Sequence, residues 1–391
     1  MVNRKLSKRF TRSLVTGAVA TALAMSAAAN ADDTEIKFGG YVKLDTMISD
    51  YADGPAPSSD NIGRQIYIPS LTPIGGEGDD PVIDFHARQS RFFLDTKTML
   101  DNGETLGAHI EMDFMLTPQG DQRISNSYNP RLRHAYITYG NWLFGQTWSN
   151  FQDTSILAES VDFIGITDGI VFNRQAQIRY TQGGFSVSIE TPETTVTPYG
   201  GGGRITSSDG YIPDVVLKYK GAKEDLTYSF AAIVRQLAYD VSQTGNDETT
   251  TGYGVTIGLK YQLGMDDLRV SGTTGSGLGR YLGLNTFNGA VIDGNGGLEA
   301  IDSTGVSLAY RHFWNDKVRS NFVYSRGWAD NDIDLTGAAV TEFTERYGVN
   351  LMYSPTKSLT FGAEISQAHR ENEAGIGGDL NRLQLMAMYK F

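Results

Sequence analysis

The 391-residue chain has no cysteine. That removes disulfides, thiolate catalysis and sulfur-ligated metals. It has no surplus of positive charge either, with 33 Lys and Arg against 45 Asp and Glu, so a sequence-independent nucleic-acid binder is excluded and no nucleic acid is expected as a partner. Long apolar runs are absent beyond Leu14 to Ala29. That run follows Arg4, Lys5, Lys8, Arg9 and Arg12, is shorter than the about 20 residues of a spanning helix, and closes on Ala29-Asn30-Ala31. It reads as a secretory signal peptide, residues 1–31, cut before Asp32. Any later membrane crossing then has to be made by strands. Histidine is scarce as well: His86, His109, His134, His312 and His369 fall in no Gly-Xaa-Ser-Xaa-Gly elbow and no His-Glu-Xaa-Xaa-His motif. The glycine-rich Ser271 to Gly277 has no lysine for a phosphate loop, and no enzymatic activity is expected.

Hydrophobic residues make up only 40 % of a chain that reads almost throughout as strand, whereas Gly numbers 45, Tyr 20 and Phe 18. A soluble protein of this size needs more apolar side chains for its core; a water-filled barrel carries them outside and is polar within. The last strand has that form, with Leu383, Leu385, Ala387, Tyr389 and Phe391 alternating with Arg382, Gln384, Met386, Met388 and Lys390. Ile36, Phe38, Val42, Leu44 and Ile48 likewise alternate with Lys37, Tyr41, Lys43 and Asp45, and Leu106, Ala108, Ile110, Met112 and Phe114 with His109, Glu111 and Asp113.

Seven short turns punctuate the chain: 101–103, 140–141, 182–184, 221–225, 264–267, 315–317 and 354–357. Eight long polar segments separate them, near 51–83, 117–130, 149–171, 192–212, 240–251, 281–302, 330–343 and 370–379. Seven turns and eight loops require sixteen strands. The expected fold is all-β, a 16-stranded antiparallel transmembrane β-barrel over residues 32–391, with both termini on the periplasmic, short-turn side. No blade repeat supports a propeller, and strand character from Glu35 leaves no room for the plug domain of the larger active transporters, which have about 22 strands.

A sixteen-stranded lumen is too wide for side chains to fill, so a loop has to narrow it. The third loop, 149–171, contains Ile156, Leu157, Val161, Phe163, Ile164 and Ile166, which are poorly placed in water. Folding inward buries them and presents Glu159, Asp162 and Asp168 to the channel; clasping a neighbouring barrel buries the same side chains. Wall cations then decide selectivity. By alternation Arg91 and Arg179 point into the lumen. Arg131 and Arg133 share parity with Ala135, Ile137 and Tyr139, so they either leave the membrane at the top of their strand or meet a subunit interface; Arg88 and Arg174 are ambiguous in the same way. Arginine suits two-point binding of a carboxylate, but an arginine–carboxylate array can also be structural, creating a transverse field. The alternatives are a general or cation-preferring porin governed by the loop acids, or a structural or adhesive barrel. Acidic stretches such as 50–60, 77–84, 330–334 and 371–373 are candidate loop sites for calcium or magnesium; no other cofactor is expected.

The runs Arg131-Leu132-Arg133-His134-Ala135-Tyr136, Asn141-Trp142, Phe144-Gly145-Gln146-Thr147-Trp148-Ser149-Asn150-Phe151, Asp162-Phe163 and Phe172-Asn173-Arg174-Gln175-Ala176-Gln177-Ile178-Arg179-Tyr180 resemble the DcaP-like outer-membrane porins, most strongly from about 85 to 185. The resemblance implies a homotrimeric sixteen-stranded channel embedded in outer-membrane lipid and lipopolysaccharide, passing small polar or anionic solutes, notably dicarboxylates. It implies Arg91, Arg131, Arg133, Arg174 and Arg179 as positions for anion contact. This chain lacks the helical segment that some members carry before the first strand.

Overall fold

The computed structural model describes residues 34–115, 125–241 and 246–391; the expected signal peptide lies outside them. Sixteen strands, numbered here in chain order, make the wall. The first eight are β1 (Thr34–Tyr51), β2 (in two parts, Val82–His86 and Arg91–Met99), β3 (Thr105–Asp113), β4 (Arg131–Tyr139), β5 (Trp142–Trp148), β6 (Arg174–Gln182), β7 (Phe185–Glu190) and β8 (Asp214–Lys223). The second eight are β9 (Leu226–Val241), β10 (Asn246–Leu263), β11 (Asp266–Ser276), β12 (Asp302–Asn315), β13 (Val318–Asp330), β14 (Thr341–Tyr353), β15 (Leu359–Asn372) and β16 (Gly377–Lys390). Each pairs antiparallel with its sequence neighbours, and β1 closes the barrel on β16, from Tyr41↔Lys390 to Tyr51↔Leu380.

All seven short turns stand where the sequence placed them, and at Gly140, Gly183 and Gly264 glycine supplies the left-handed backbone of a tight turn, with φ of 52°, 59° and 67°. Two loops are shorter than expected. The Thr249-Thr250-Thr251 run is β-branched and continues β10 rather than ending it. At 370–379 the strands run on to Asn372 and restart at Gly377, joined by a turn in which Asn372 Oδ1 accepts from the N–H groups of Ala374 and Ile376.

The outer face is apolar: Val42, Ile83, Phe85, Leu217, Ile365 and Leu385 are all exposed while their strand neighbours are covered. Exposed rings of Tyr139, Trp142, Phe185, Tyr261, Trp314, Tyr353 and Tyr389 lie at the short-turn end, where amphipathic rings favour a membrane boundary. The wall is uneven. Strands β3 to β7 have six to nine residues, β9 to β16 eleven to eighteen. Above the tall side, Thr194–Thr197, Ile205–Ser207, Ala290–Ile292 and Leu298–Ala300 form a small four-stranded sheet from the fourth and sixth loops.

Candidate channel constriction

The third loop, 149–173, leaves the low wall and crosses to the tall one inside the barrel. Its partners are wall side chains on the inward alternation, such as Lys43 between exposed Val42 and Leu44. Asn150 N–H donates to Glu190 of β7 (2.8 Å), Lys220 of β8 pairs with Asp153 (2.9 Å), and Arg269 of β11 donates to the carbonyl of Leu157. Further round, Arg319 of β13 donates to Glu159 (2.6 Å), Glu364 of β15 accepts from Val161 N–H (2.8 Å), and Lys43 of β1 donates to the carbonyl of Val161 (2.7 Å). Gly169 N–H returns the loop to Ser325 of β13 (2.8 Å). There the backbones are so close that a Cβ on Gly169 would stand 2.1 Å from the Val306 carbonyl oxygen, so only glycine fits. Ile156, Val161, Ile164 and Ile166 are buried against the wall, each contributing about 2 kcal/mol of apolar burial.

The loop acids differ from expectation. Glu159 retains 30 % side-chain exposure and pairs with Arg319, whereas Asp162 and Asp168 have side chains turned away from the channel. Asp162 meets Arg346 (3.1 Å), and Asp168 accepts from Tyr67 Oη (2.7 Å). A carboxylate in this dry layer needs a partner, and the partners are on the wall and the first loop. Burial pushes Asp162 up, but the charges of Arg346 and Arg382 and the Tyr67 N–H more than offset it, holding the carboxyl below its ordinary value. Burial lifts Asp168 to about 6, with hydrogen bonds from Tyr67 and Thr344 opposing it only in part.

Opposite the loop stands the low wall. Arg91 reaches Glu111 (3.3 Å), Arg131 grips Asp113 with two bonds (2.8 and 2.7 Å), and Arg133 bridges Glu111 (2.5 Å) and Asp113 (2.9 Å). Parity assigned Arg131 and Arg133 to the outer face, which the structure corrects. The pairing passes from Glu111↔His134 to Met112↔Leu132, so Arg133 is the extra residue of a β-bulge. Leu132 stays outside, and both arginines turn inward to the carboxylates. Nothing in Arg-Leu-Arg-His signals that extra residue.

Arg174, also ambiguous by parity, begins β6 with its guanidinium over the Trp148 ring (4.5 Å) and near Phe172 of the third loop (6.0 Å). Arg179 donates to Gln177 Oε1 (2.9 Å) and to the Trp148 carbonyl. Among the described residues the ion pairs include no carboxylate partner for Arg174 or Arg179. Arg174 Nη1 is buried without a hydrogen-bond partner. Around these cations runs an aromatic shelf not expected as a unit: His134 against Trp148, Trp148 against Phe172, Phe172 against Phe163, with Arg133 over Phe163 (5.3 Å). Arg88 stands apart, in the break between the two parts of β2, over Tyr128 (3.5 Å). Among the described residues no three His, Asp or Glu side chains come together as a metal site; within the acidic stretches, Asp84 pairs with Arg64 instead (2.7 Å).

A model of the DcaP outer membrane protein family matches residues 16–391. The outer membrane channel DcaP of Acinetobacter baumannii superposes with a TM-score of 0.75 at 23 % identity, covering 93 % of this chain and 99 % of that one. An anion-selective porin from Comamonas acidovorans gives 0.56 at 11 % identity, covering 92 % and 100 %. The trimer form of OmpT from Vibrio cholerae gives 0.53 at 13 %, covering 92 % and 100 %. These likenesses establish the barrel fold. Comparison with curated proteins finds no match.

Proposed function

The chain belongs to the DcaP outer membrane protein family, and we propose that its channel passes small hydrophilic solutes by passive diffusion with a preference for small carboxylate anions, dicarboxylates among them. The observation that carries this reading is the charge of the low wall. Arg91, Arg131, Arg133 and Arg174 stand within electrostatic range of one another, with Glu111 and Asp113 as the carboxylates bonded to them. Among the described residues two positive charges are left over, and Arg174, with no carboxylate partner there, can fork onto a passing carboxylate. A solute with two carboxylates can meet Arg174 and a second guanidinium at once. The chain's overall negative charge does not oppose this, because acidic groups on outer loops more than about 10 Å away are screened at physiological salt. Glu159, the acid that would favour cations, is already neutralised by Arg319 and supports the anion reading.

In a planar bilayer, small dicarboxylates at low ionic strength are expected to reduce the current more than neutral sugars of similar size do, and added salt should weaken that block. Equal effects of sugar and dicarboxylate would refute the preference while leaving the channel intact.

We also propose a homotrimer joined through the low wall, with both termini on the periplasmic side. A tilted strand needs about 9–11 residues to cross the bilayer, and β5 and β7 have seven and six. Further round the wall, in the break of β2, Arg88 is buried next to outward-facing Leu44 and Phe85, a costly position for a guanidinium so close to lipid. A neighbouring subunit would cover both defects.

A further inference from the structure

The first loop, 52–81, runs from the rim into the lumen and meets the third loop at Tyr67. Tyr67 is 2 % exposed. Its N–H donates to Asp162 Oδ1 (3.1 Å) and its hydroxyl to Asp168 Oδ1 (2.7 Å), the two acids that bracket the return of the third loop. The Arg346 guanidinium lies over its ring (4.9 Å) and pairs with Asp162 and with Glu364 (2.8 Å), which in turn accepts from Ser160 and Val161 of the third loop. The other end of the first loop is fixed at the rim. Arg370 of β15 donates to the carbonyls of Ser70 (2.9 Å) and Thr72 (3.2 Å), and Gly75 N–H donates to the Gly377 carbonyl (3.2 Å). Arg382 and Tyr51 hold the Gly63 carbonyl between these points.

We propose that Tyr67 is a positioning residue of the channel: carried by the first loop, it holds the third loop against β14 and β15 and so keeps the aperture open. Without it, the third loop would keep its bonds to the wall at Glu364 but lose the hydroxyl on Asp168, and its return limb would swing toward the lumen. The lock is also short of positive charge. Among the described residues Asp162 and Glu364 share one guanidinium in direct contact, Arg346, while Asp168 feels it only at longer range and Arg382 lies farther off. Asp168 Oδ2 is buried with only the Thr344 hydroxyl near it, so docking costs the charged carboxyl more than the protonated one. A carboxyl raised by docking favours the docked state most below the ordinary carboxylate range, and that contribution is lost as pH rises through about 6. Acid therefore tightens the lock.

Single-channel recording tests this, reading voltage-driven closures rather than selectivity, so its failure would leave the anion reading untouched. In wild-type protein, closures should be more frequent at about pH 7.5 than at about pH 5. Tyr67→Phe keeps the ring under Arg346 and removes only the hydroxyl; closures should become several-fold more frequent at both pH values with the reversal potential unchanged. Asp168→Asn, which mimics the protonated acid, should abolish the pH dependence and close at the wild-type acid rate. Wild-type closure frequency in Tyr67→Phe, or persistent pH dependence in Asp168→Asn, would overturn the proposal. If Tyr67→Phe fails to give a folded barrel, Asp168→Asn decides alone.

Discussion

Arg91 and Arg174 illustrate how two residues of one type on one wall can differ in function. Arg91 is tied to Glu111, which it shares with Arg133, and its charge is largely spent on the wall itself. Arg174 is held by aromatic faces, which orient a guanidinium without neutralising it. Glu111 is therefore a brake on the site rather than part of it. Glu111→Gln is expected to raise anion permeability, because it removes one of the two compensating charges. It should also lower resistance to urea, because breaking a buried pair by removing one partner costs about 3–5 kcal/mol. Unchanged selectivity in a folded Glu111→Gln barrel would show that the low wall does not set the field in the lumen. At this scale the sequence was readable by alternation alone: Arg91 and Arg179 follow from parity, while Arg131, Arg133 and Arg174 do not. The burial of Asp162 and Asp168 does not follow from parity either, because a loop acid reads as solvated unless its buried partner, here Arg346 or Tyr67, is known to be near.

Strand β4 shows what a single inserted residue does. A shift of one residue moves a whole strand from one face to the other, and the bulge at Arg133 makes that shift halfway along, so that Ile137 and Leu132 both face out although they stand five positions apart. Deleting Arg133 should leave Glu111↔His134 and Met112↔Leu132 in register as a regular ladder, and so give a barrel that still folds and shows the usual heat-dependent shift in gel mobility. Deleting Thr138, below the bulge, should flip the rest of the strand and impair folding. Equal loss of folding in both deletions would contradict the bulge as the cause of the inward arginines. Turns were legible because Gly, Asn and Asp have distinctive backbone preferences. The bulge was not, because arginine has none, and the tie of the third loop to the tall wall depends on contacts up to 223 residues apart in sequence, such as Gln384 with the Val161 carbonyl.

Over the whole molecule, asymmetry is the organising feature. The tall wall carries the third loop and the small loop sheet; the low wall carries the cations and exposes a broken strand outside. The proposed trimer follows from the second fact and the proposed selectivity from the first, since the loop confines solutes to the arginine side. Crosslinking in mild detergent should trap three subunits, and replacing Arg88 and Tyr128 together should shift the population toward monomer. A wild-type protein that stays monomeric by mass measurement would count against the interface.

The reversal potential of the reconstituted channel across a salt gradient, in wild type, Arg174→Ala and Arg174→Ala with Arg179→Ala, tests the central claim most directly. The wild type should favour anions. Arg174→Ala should shift the potential toward cations, and the double substitution should shift it further by an amount that is not the sum of the two if both arginines hold the same carboxylate. A cation-selective wild type, with a reversal potential unmoved by either substitution, would contradict the account.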